Sequence, residues 1–240
     1  MTYNATVIGS TGLVGSQILT RLLTTPSVTS VSTLIRRPSP HAIPQSTAHH
    51  ETISSDTATW AATLPAILAA KNSSILFSGL GTTRGDAGSI EAQKKIDYDL
   101  NLALAKSAKK SGVKTYVLIS SANAKANSWL PYVAMKGQLE DDVAALGFEK
   151  CVIVRPGLIV GSREKTRAME QPLHYVANFM GAIAGPLKNV WAQDASAIAK
   201  AAIRAATEEG VWEGRKTVEG KNGGKVWFMG QGEIVELGSN

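Results

Sequence analysis

The chain has 240 residues, 44% of them apolar and 18% charged, and carries a formal charge of +6 from 25 basic and 19 acidic side chains. This size and balance suit one globular domain and exclude a disordered chain, while the single cysteine, Cys151, excludes an intrachain disulfide and a cysteine-based metal cluster and suits a reducing compartment. No apolar run approaches the roughly 18 residues of a membrane helix; the longest, Cys151 to Val160 and Met180 to Leu187, are interrupted by Arg155, Pro156 and Pro186.

In chain order, nearly continuous apolar runs at Ala5 to Ile8, Val28 to Ile35, Ser74 to Leu80, Thr115 to Ser120 and Cys151 to Val154 predict strands covered on both faces. Helical periodicity at Gly12 to Leu23, Ile90 to Lys110, Pro131 to Leu146 and Ala195 to Thr207 predicts the crossovers between them. The alternation predicts an α/β fold with a doubly wound parallel sheet, one domain spanning residues 1–240. Arg37 to His50, with Pro38, Pro40 and Pro44, breaks both periods and is expected to be an exposed loop. His49 and His50 are neighbours rather than an i, i+4 pair, so no metal site is expected there. Gly157 to Lys188 mixes Arg163, Lys165 and Arg167 with Leu173, Tyr175 and Phe179 after a strand end, which predicts a substrate or lid segment over about 157–190.

The positive charge is dispersed, with no more than two basic residues adjacent, as in Arg36 and Arg37 or Lys109 and Lys110. Solvated helix faces account for it, and no nucleic-acid partner is expected. A strand pattern begins at Ala5, leaving no room for a leader peptide; any organelle association is expected to use the protein's own surface.

The first strand runs into GSTGLVG, Gly9 to Gly15, and then into a helix. Glycine is required at Gly9 for a tight turn, at Gly12 for close approach of a pyrophosphate, and at Gly15 for helix-to-strand packing. The expected cofactor turn is therefore Gly9, Ser10, Thr11, Gly12, Leu13, Val14 and Gly15, with the helix amino end facing the phosphates. The second strand ends at Arg36 and Arg37, where NAD-binding chains commonly carry an acidic residue. A guanidinium pair there favours a 2′-phosphate and hence NADP(H).

The helix opening at Pro131 carries Tyr132 and Lys136 one turn apart, and Ser120 and Ser121 close the strand before it. Hydride transfer to a carbonyl leaves an alkoxide that must receive a proton. Lowering a phenol's pKa by about three takes roughly 4 kcal/mol, about that of one cation 4 Å away at an effective dielectric of about 20. On this reading Tyr132 is the acid/base, Lys136 tunes it and anchors a ribose, Ser121 holds the substrate oxygen, and Ser120 faces the cofactor.

GSTGLVG, Arg36 and Arg37, the serine pair, Tyr132 with Lys136 and the turn Arg155 to Gly157 together resemble an atypical short-chain dehydrogenase/reductase. LGTTRGDAG (Leu80 to Gly88), LISSANA and YVAMKGQLE are similar, more narrowly, to the Tat-interacting-protein-like oxidoreductases and the fungal "found in mitochondrial proteome" group. The similarity runs from the first strand to about Gly185; VWAQDASAIAKAAI resembles only the general late helix of the superfamily. The resemblance implies a Rossmann-type fold, NADPH binding, and Tyr132 and Lys136 as proton donor/acceptor and partner. It also implies cofactor contacts from Leu80, Gly81, Ile159 and Arg167, and, for the fungal group, peripheral attachment to the cytoplasmic face of the mitochondrial outer membrane. One departure stands out: many extended relatives carry an asparagine where this chain has Asp97.

The expected activity is NADPH-dependent reduction of a small carbonyl or lipid-like substrate, the latter suggested by the apolar residues of Leu173 to Leu187. The alternatives are an NADPH-binding regulatory or scaffold protein with little or no turnover and a basic nucleic-acid or membrane-surface module. The helices at Ile90 to Lys110 and Pro131 to Leu146 are compatible with both a monomer and a paired-helix homodimer.

Overall fold

The computed structural model describes residues 2–39, 46–160 and 192–239. Eight strands form one sheet: β1 (Tyr3–Ile8), β2 (Val28–Ile35), β3 (His49–Ile53), β4 (Ile75–Ser78), β5 (Thr115–Ile119), β6 (Lys150–Val154), β9 (Val218–Glu219) and β10 (Lys225–Met229). Their order is β3-β2-β1-β4-β5-β6-β10-β9, and every pairing except β9 with β10 is parallel. Two short parallel strands, β7 (Leu158–Val160) and β8 (Ala192–Asp194), pair apart from it. The helices are α1 (Leu13–Leu22), α2 (Trp60–Ala70), α3 (Arg84–Ala87), α4 (Ile90–Lys94), α5 (Asn101–Lys110), α6 (Pro131–Ala144), α7 (Ala195–Thr207) and α8 (Gln231–Ser239).

The two-residue period of a strand sends alternate side chains to opposite faces, and here both faces are dry. Val117 and Ile119 of β5 and Val152 and Val154 of β6 meet Ile18 and Leu22 of α1, the alanines of α7, and Ile234 and Leu237 of α8. Leu118, Cys151 and Ile153 point the other way, against Leu64 and Leu68 of α2, Leu104 of α5, and Leu139 and Val143 of α6. This is the doubly wound Rossmann-type arrangement expected from the alternation of elements.

Three elements depart from the sequence reading. His49 and His50 open β3 rather than ending a loop; β3 is an edge strand, half-exposed, so its HHETI sequence has no apolar run. The helix expected over Ile90 to Lys110 is broken by a π turn at Lys95–Leu100 between α4 and α5. The periodicity reading also passed over α2, β10 and α8. Pro65 lies inside α2 and has no N–H to donate. The carbonyl left over one turn earlier, Ala61 O, accepts a hydrogen bond from Ser107 Oγ of α5 at 2.7 Å.

Between β1 and β4 the strand order reverses, because the chain first winds outward through β2 and β3 and then crosses back over β1. Such a reversal opens a crevice at the carboxyl ends of the strands. The turns that follow β1, β4, β5 and β6 all emerge at that edge.

Candidate functional site

The turn after β1 is built by glycine. Gly9 has φ +78°, and a Cβ there would stand 2.6 Å from the Gly79 carbonyl; a Cβ on Gly15 would stand 2.1 Å from Gly9 O. The start of α1 therefore packs directly on the end of β1, as anticipated for those two positions. Gly12 is exposed, donates its N–H to Gly9 O at 3.0 Å, and caps α1 in an extended conformation with no acidic side chain in the first turn. The first N–H bonded back into the helix is that of Ser16, to Gly12 O at 2.9 Å, so the amides of Leu13, Val14 and Gly15 precede the helical ladder. Ser10 is buried and Thr11 half-buried. Val14 is a core side chain and Leu13 packs beside it, which leaves their backbone as what they present to the crevice.

On the other side of the reversal, Gly79 N–H donates to Ile8 O at 2.9 Å, and the turn Leu80 to Thr82 follows. Three side chains from the helical stretch beneath hold this turn. Asn101 Nδ2 donates to Leu80 O at 3.2 Å while its Oδ1 accepts from Ser78 Oγ at 2.7 Å. Asp97 Oδ1 accepts from Thr82 N–H at 2.7 Å, and Gln93 Nε2 donates to Thr82 O at 2.9 Å. All three side chains are buried. Asp97 lies in the π turn, a form of helix that recurs at functional sites. Asn101 and Gln93 were not singled out from sequence; their signal was a row of amides and carboxylates on a helix face whose other neighbours are apolar.

After β5 the chain reaches Ser120, whose N–H donates to Val154 O at 2.8 Å. Its hydroxyl is buried and has no hydrogen-bond partner among the described residues. Ser121 is half-buried, and the loop beyond it is pinned by Ala122 N–H to Pro156 O at 2.8 Å and Lys125 N–H to Val133 O at 3.1 Å. The loop lies so close to α6 that a Cβ on Gly137 would fall 2.1 Å from Ala126 N. That approach fixes the amino end of α6. Tyr132 emerges there 41% exposed. One turn on, Lys136 is buried and donates from Nζ to Ile119 O at 3.3 Å. A second turn brings Glu140, also buried, to Arg155 of the turn after β6, with Nη2 to Oε2 at 2.6 Å. The Arg155 guanidinium in turn lies 4.4 Å over the Phe228 ring.

The electrostatics differ from the sequence expectation in one respect. The protein's own groups hold the Tyr132 phenol above its ordinary value, first through burial and then through the Asp97 carboxylate. Lys136 was expected to lower it, but burial pulls the lysine's own pKa down, opposed by Asp97 and then Glu140. Asp97 is pushed up by burial and drawn back by Lys136, the Thr82 amide and Gln93. The cation meant for the phenol is shared with a carboxylate.

Of the remaining predicted residues, Arg36 and Arg37 stand exposed just past β2, beside the glycine turn's edge of the sheet. Ile159 lies on β7, half-buried against the core. Arg167 and the lid stretch from residue 161 onward lie outside the described residues. Among the described residues no helix is long and apolar enough to cross a membrane.

The HIM1 family model matches residues 43–184. The "Protein fmp52-1, mitochondrial" of Aspergillus terreus is 45% identical over 236 residues, covering 97% of each chain. The "Protein fmp-52, mitochondrial" of Neurospora crassa is 42% identical over 97% of this chain and 93% of its own. Among solved structures, the enzyme WbmH of Bordetella bronchiseptica, in complex with NAD+, superposes with a TM-score of 0.66 at 14% identity, over 87% of this chain and 73% of that one. The UDP-glucose 4-epimerase of Thermotoga maritima, solved with UDP-glucose, gives 0.62 at 14% identity over 85% and 73%. At such identities the likeness is one of fold.

Proposed function

Because the chain belongs to the HIM1 family, alongside the fungal fmp52 proteins named mitochondrial, we propose that it is a mitochondrion-associated oxidoreductase of the short-chain type, using NADP(H) to reduce a small carbonyl or lipid-like substrate. One observation carries this reading: a buried lysine, one helical turn from Tyr132, reaches the end of β5 beside a buried serine hydroxyl without a partner among the described residues. An orphaned hydroxyl at a sheet edge costs about 1–3 kcal/mol unless a ligand satisfies it. Its place at the carboxyl end of a central strand suits a nicotinamide dinucleotide, which WbmH holds in its own complex.

The residues present fit that group. Gly12 and the amides at the start of α1 would take the pyrophosphate, Arg36 and Arg37 a 2′-phosphate, and the Leu80–Gly81 turn and Lys136 the nicotinamide side. When bound, the reduced ring supplies a hydride. In our reading Ser121 donates a hydrogen bond to the substrate oxygen, and Tyr132 gives its phenolic proton to the alkoxide as it forms. A phenol held above its ordinary value is fully protonated at neutral pH, the form a reductase requires of its acid, and an alkoxide is basic enough to take the proton. No transmembrane helix among the described residues is consistent with attachment at a surface.

Tyr132→Phe tests the assignment. NADPH binding, followed by cofactor fluorescence, should persist within a few-fold, while carbonyl reduction should fall about 10²- to 10⁴-fold. Undiminished turnover would remove Tyr132 from the chemistry and with it the short-chain mechanism.

A further inference from the structure

The turn Arg155 to Gly157, after β6, is held by three segments remote from it in sequence. Arg155 N–H donates to Met229 O at the end of β10 at 2.9 Å, and Pro156 O accepts from Ala122 N–H of the serine loop at 2.8 Å. The third contact comes from a side chain: Gly157 N–H donates to Gln193 Oε1 at 2.6 Å. Gln193 is buried on β8, opposite Ile159 in the β7–β8 ladder, and its Nε2 donates to Gln231 Oε1 at the start of α8 at 3.3 Å. Both ends of this carboxamide stand on fixed supports. β8 runs straight into α7, where Asp194 accepts from Ser196 N–H at 2.7 Å, and the start of α8 is pinned by Glu233, which accepts from Gly230 N–H at 2.8 Å and from Trp227 Nε1 at 3.0 Å. Among the described strands β7 and β8 pair only with each other, so the bond from Gly157 to Gln193 stands where the chain leaves the main sheet for them.

We propose that Gln193 is a positioning residue of the crevice. By holding the Gly157 amide it sets the turn after β6, and through the Pro156 carbonyl of that turn it sets the loop that carries Ser120 and Ser121. Two neighbouring strand ends, those of β5 and β6, thereby take their shape from residues 192–239. A carboxamide suits the place because it accepts at one atom and donates at the other; a methionine would fill the same length with neither capacity. The coupling of Gln193 to the serine loop stands on the chain alone, and only its consequence for turnover rests on the reductase reading above.

The test is Gln193→Met, read first by amide hydrogen exchange in the protein without cofactor. Exchange at Gly157 and at Ala122 should both quicken about tenfold or more, because a local opening is made easier while the rest of the sheet stays closed. Carbonyl reduction should lose about tenfold in kcat through misplacement of the substrate oxygen. NADPH binding should stay within a few-fold, since β4 and β5 separate the glycine turn after β1 from β6. A merely structural role would lower stability and leave kcat of the folded protein unchanged; that outcome, or an Ala122 amide exchanging as in the unaltered chain, would overturn the proposal. If both amides loosen together but the unaltered chain reduces no carbonyl, the positioning stands and the reductase reading falls. Should Gln193→Met not fold, the unaltered chain answers the same question: its Gly157 and Ala122 amides should open together, with one dependence on denaturant, and separate openings would overturn the proposal.

Discussion

A lysine withdrawn from water while retaining carboxylate neighbours is the central residue of this crevice. Burial draws Lys136 toward its neutral form; Asp97 and then Glu140 oppose that. Its i, i+4 spacing from Tyr132 was legible in the sequence, because helix geometry alone puts those residues on one face. Asp97, 39 positions earlier, stood out in the sequence only as a departure from an asparagine of extended relatives; its charge coupling to Lys136 was not legible, because it comes from a π turn that no local pattern announced. The exposed pair Arg36 and Arg37 poses a simpler question at this scale. If they grip a 2′-phosphate, Arg36→Ala with Arg37→Ala should weaken NADPH binding about 10- to 100-fold, the worth of one or two charge-assisted hydrogen bonds. NADH should bind as before, measured by titration of cofactor fluorescence. Equal weakening of both dinucleotides would assign the pair to a general surface charge.

Elements in this protein are completed by one another. The helix α2 carries a proline in its interior, ordinarily a cost of about 3 kcal/mol, and Ser107 of α5 satisfies the carbonyl that Pro65 cannot. No local pattern announces α2, because the hydroxyl that compensates for Pro65 lies more than forty residues away. The glycine turn is the opposite case. β1, the turn and α1 are contiguous, and the contacts that demand glycine lie mostly within seven residues, so GSTGLVG could be read directly. Gly15→Ala should then destabilise the fold by about 3 kcal/mol in urea unfolding, because its Cβ would sit 2.1 Å from Gly9 O, a backbone atom that cannot swing aside. Loss of dinucleotide binding should accompany it. A Gly15→Ala protein as stable as the parent would mean that helix and strand are not packed as described.

Across the whole molecule, residues 192–239 close what the first 160 begin. Trp227 of β10 is fully buried, and α7 and α8 complete the core face opened by α1. Near the middle of the sheet sits Cys151, the chain's one cysteine, with its thiol pushed up to about 12 by burial. Because the thiolate is the reactive form, native protein at pH 8 should react with Ellman's reagent only as fast as the whole sheet opens, and at once in denaturant. Rapid labelling under native conditions would contradict a sheet dry on both faces.

The order of apolar runs and helical stretches was enough to determine a doubly wound sheet, a glycine-built turn after its first strand and a tyrosine–lysine pair on one helix, since each depends on residues close along the chain. The edge strand β3, the proline-bearing α2, the return of β10 and the hold of Asp97, Gln93 and Asn101 on the turn after β4 were decided only by tertiary structure. Each of these draws its hydrogen bonds, burial or charge partner from segments far apart in sequence, where local periodicity carries no information about which groups will meet.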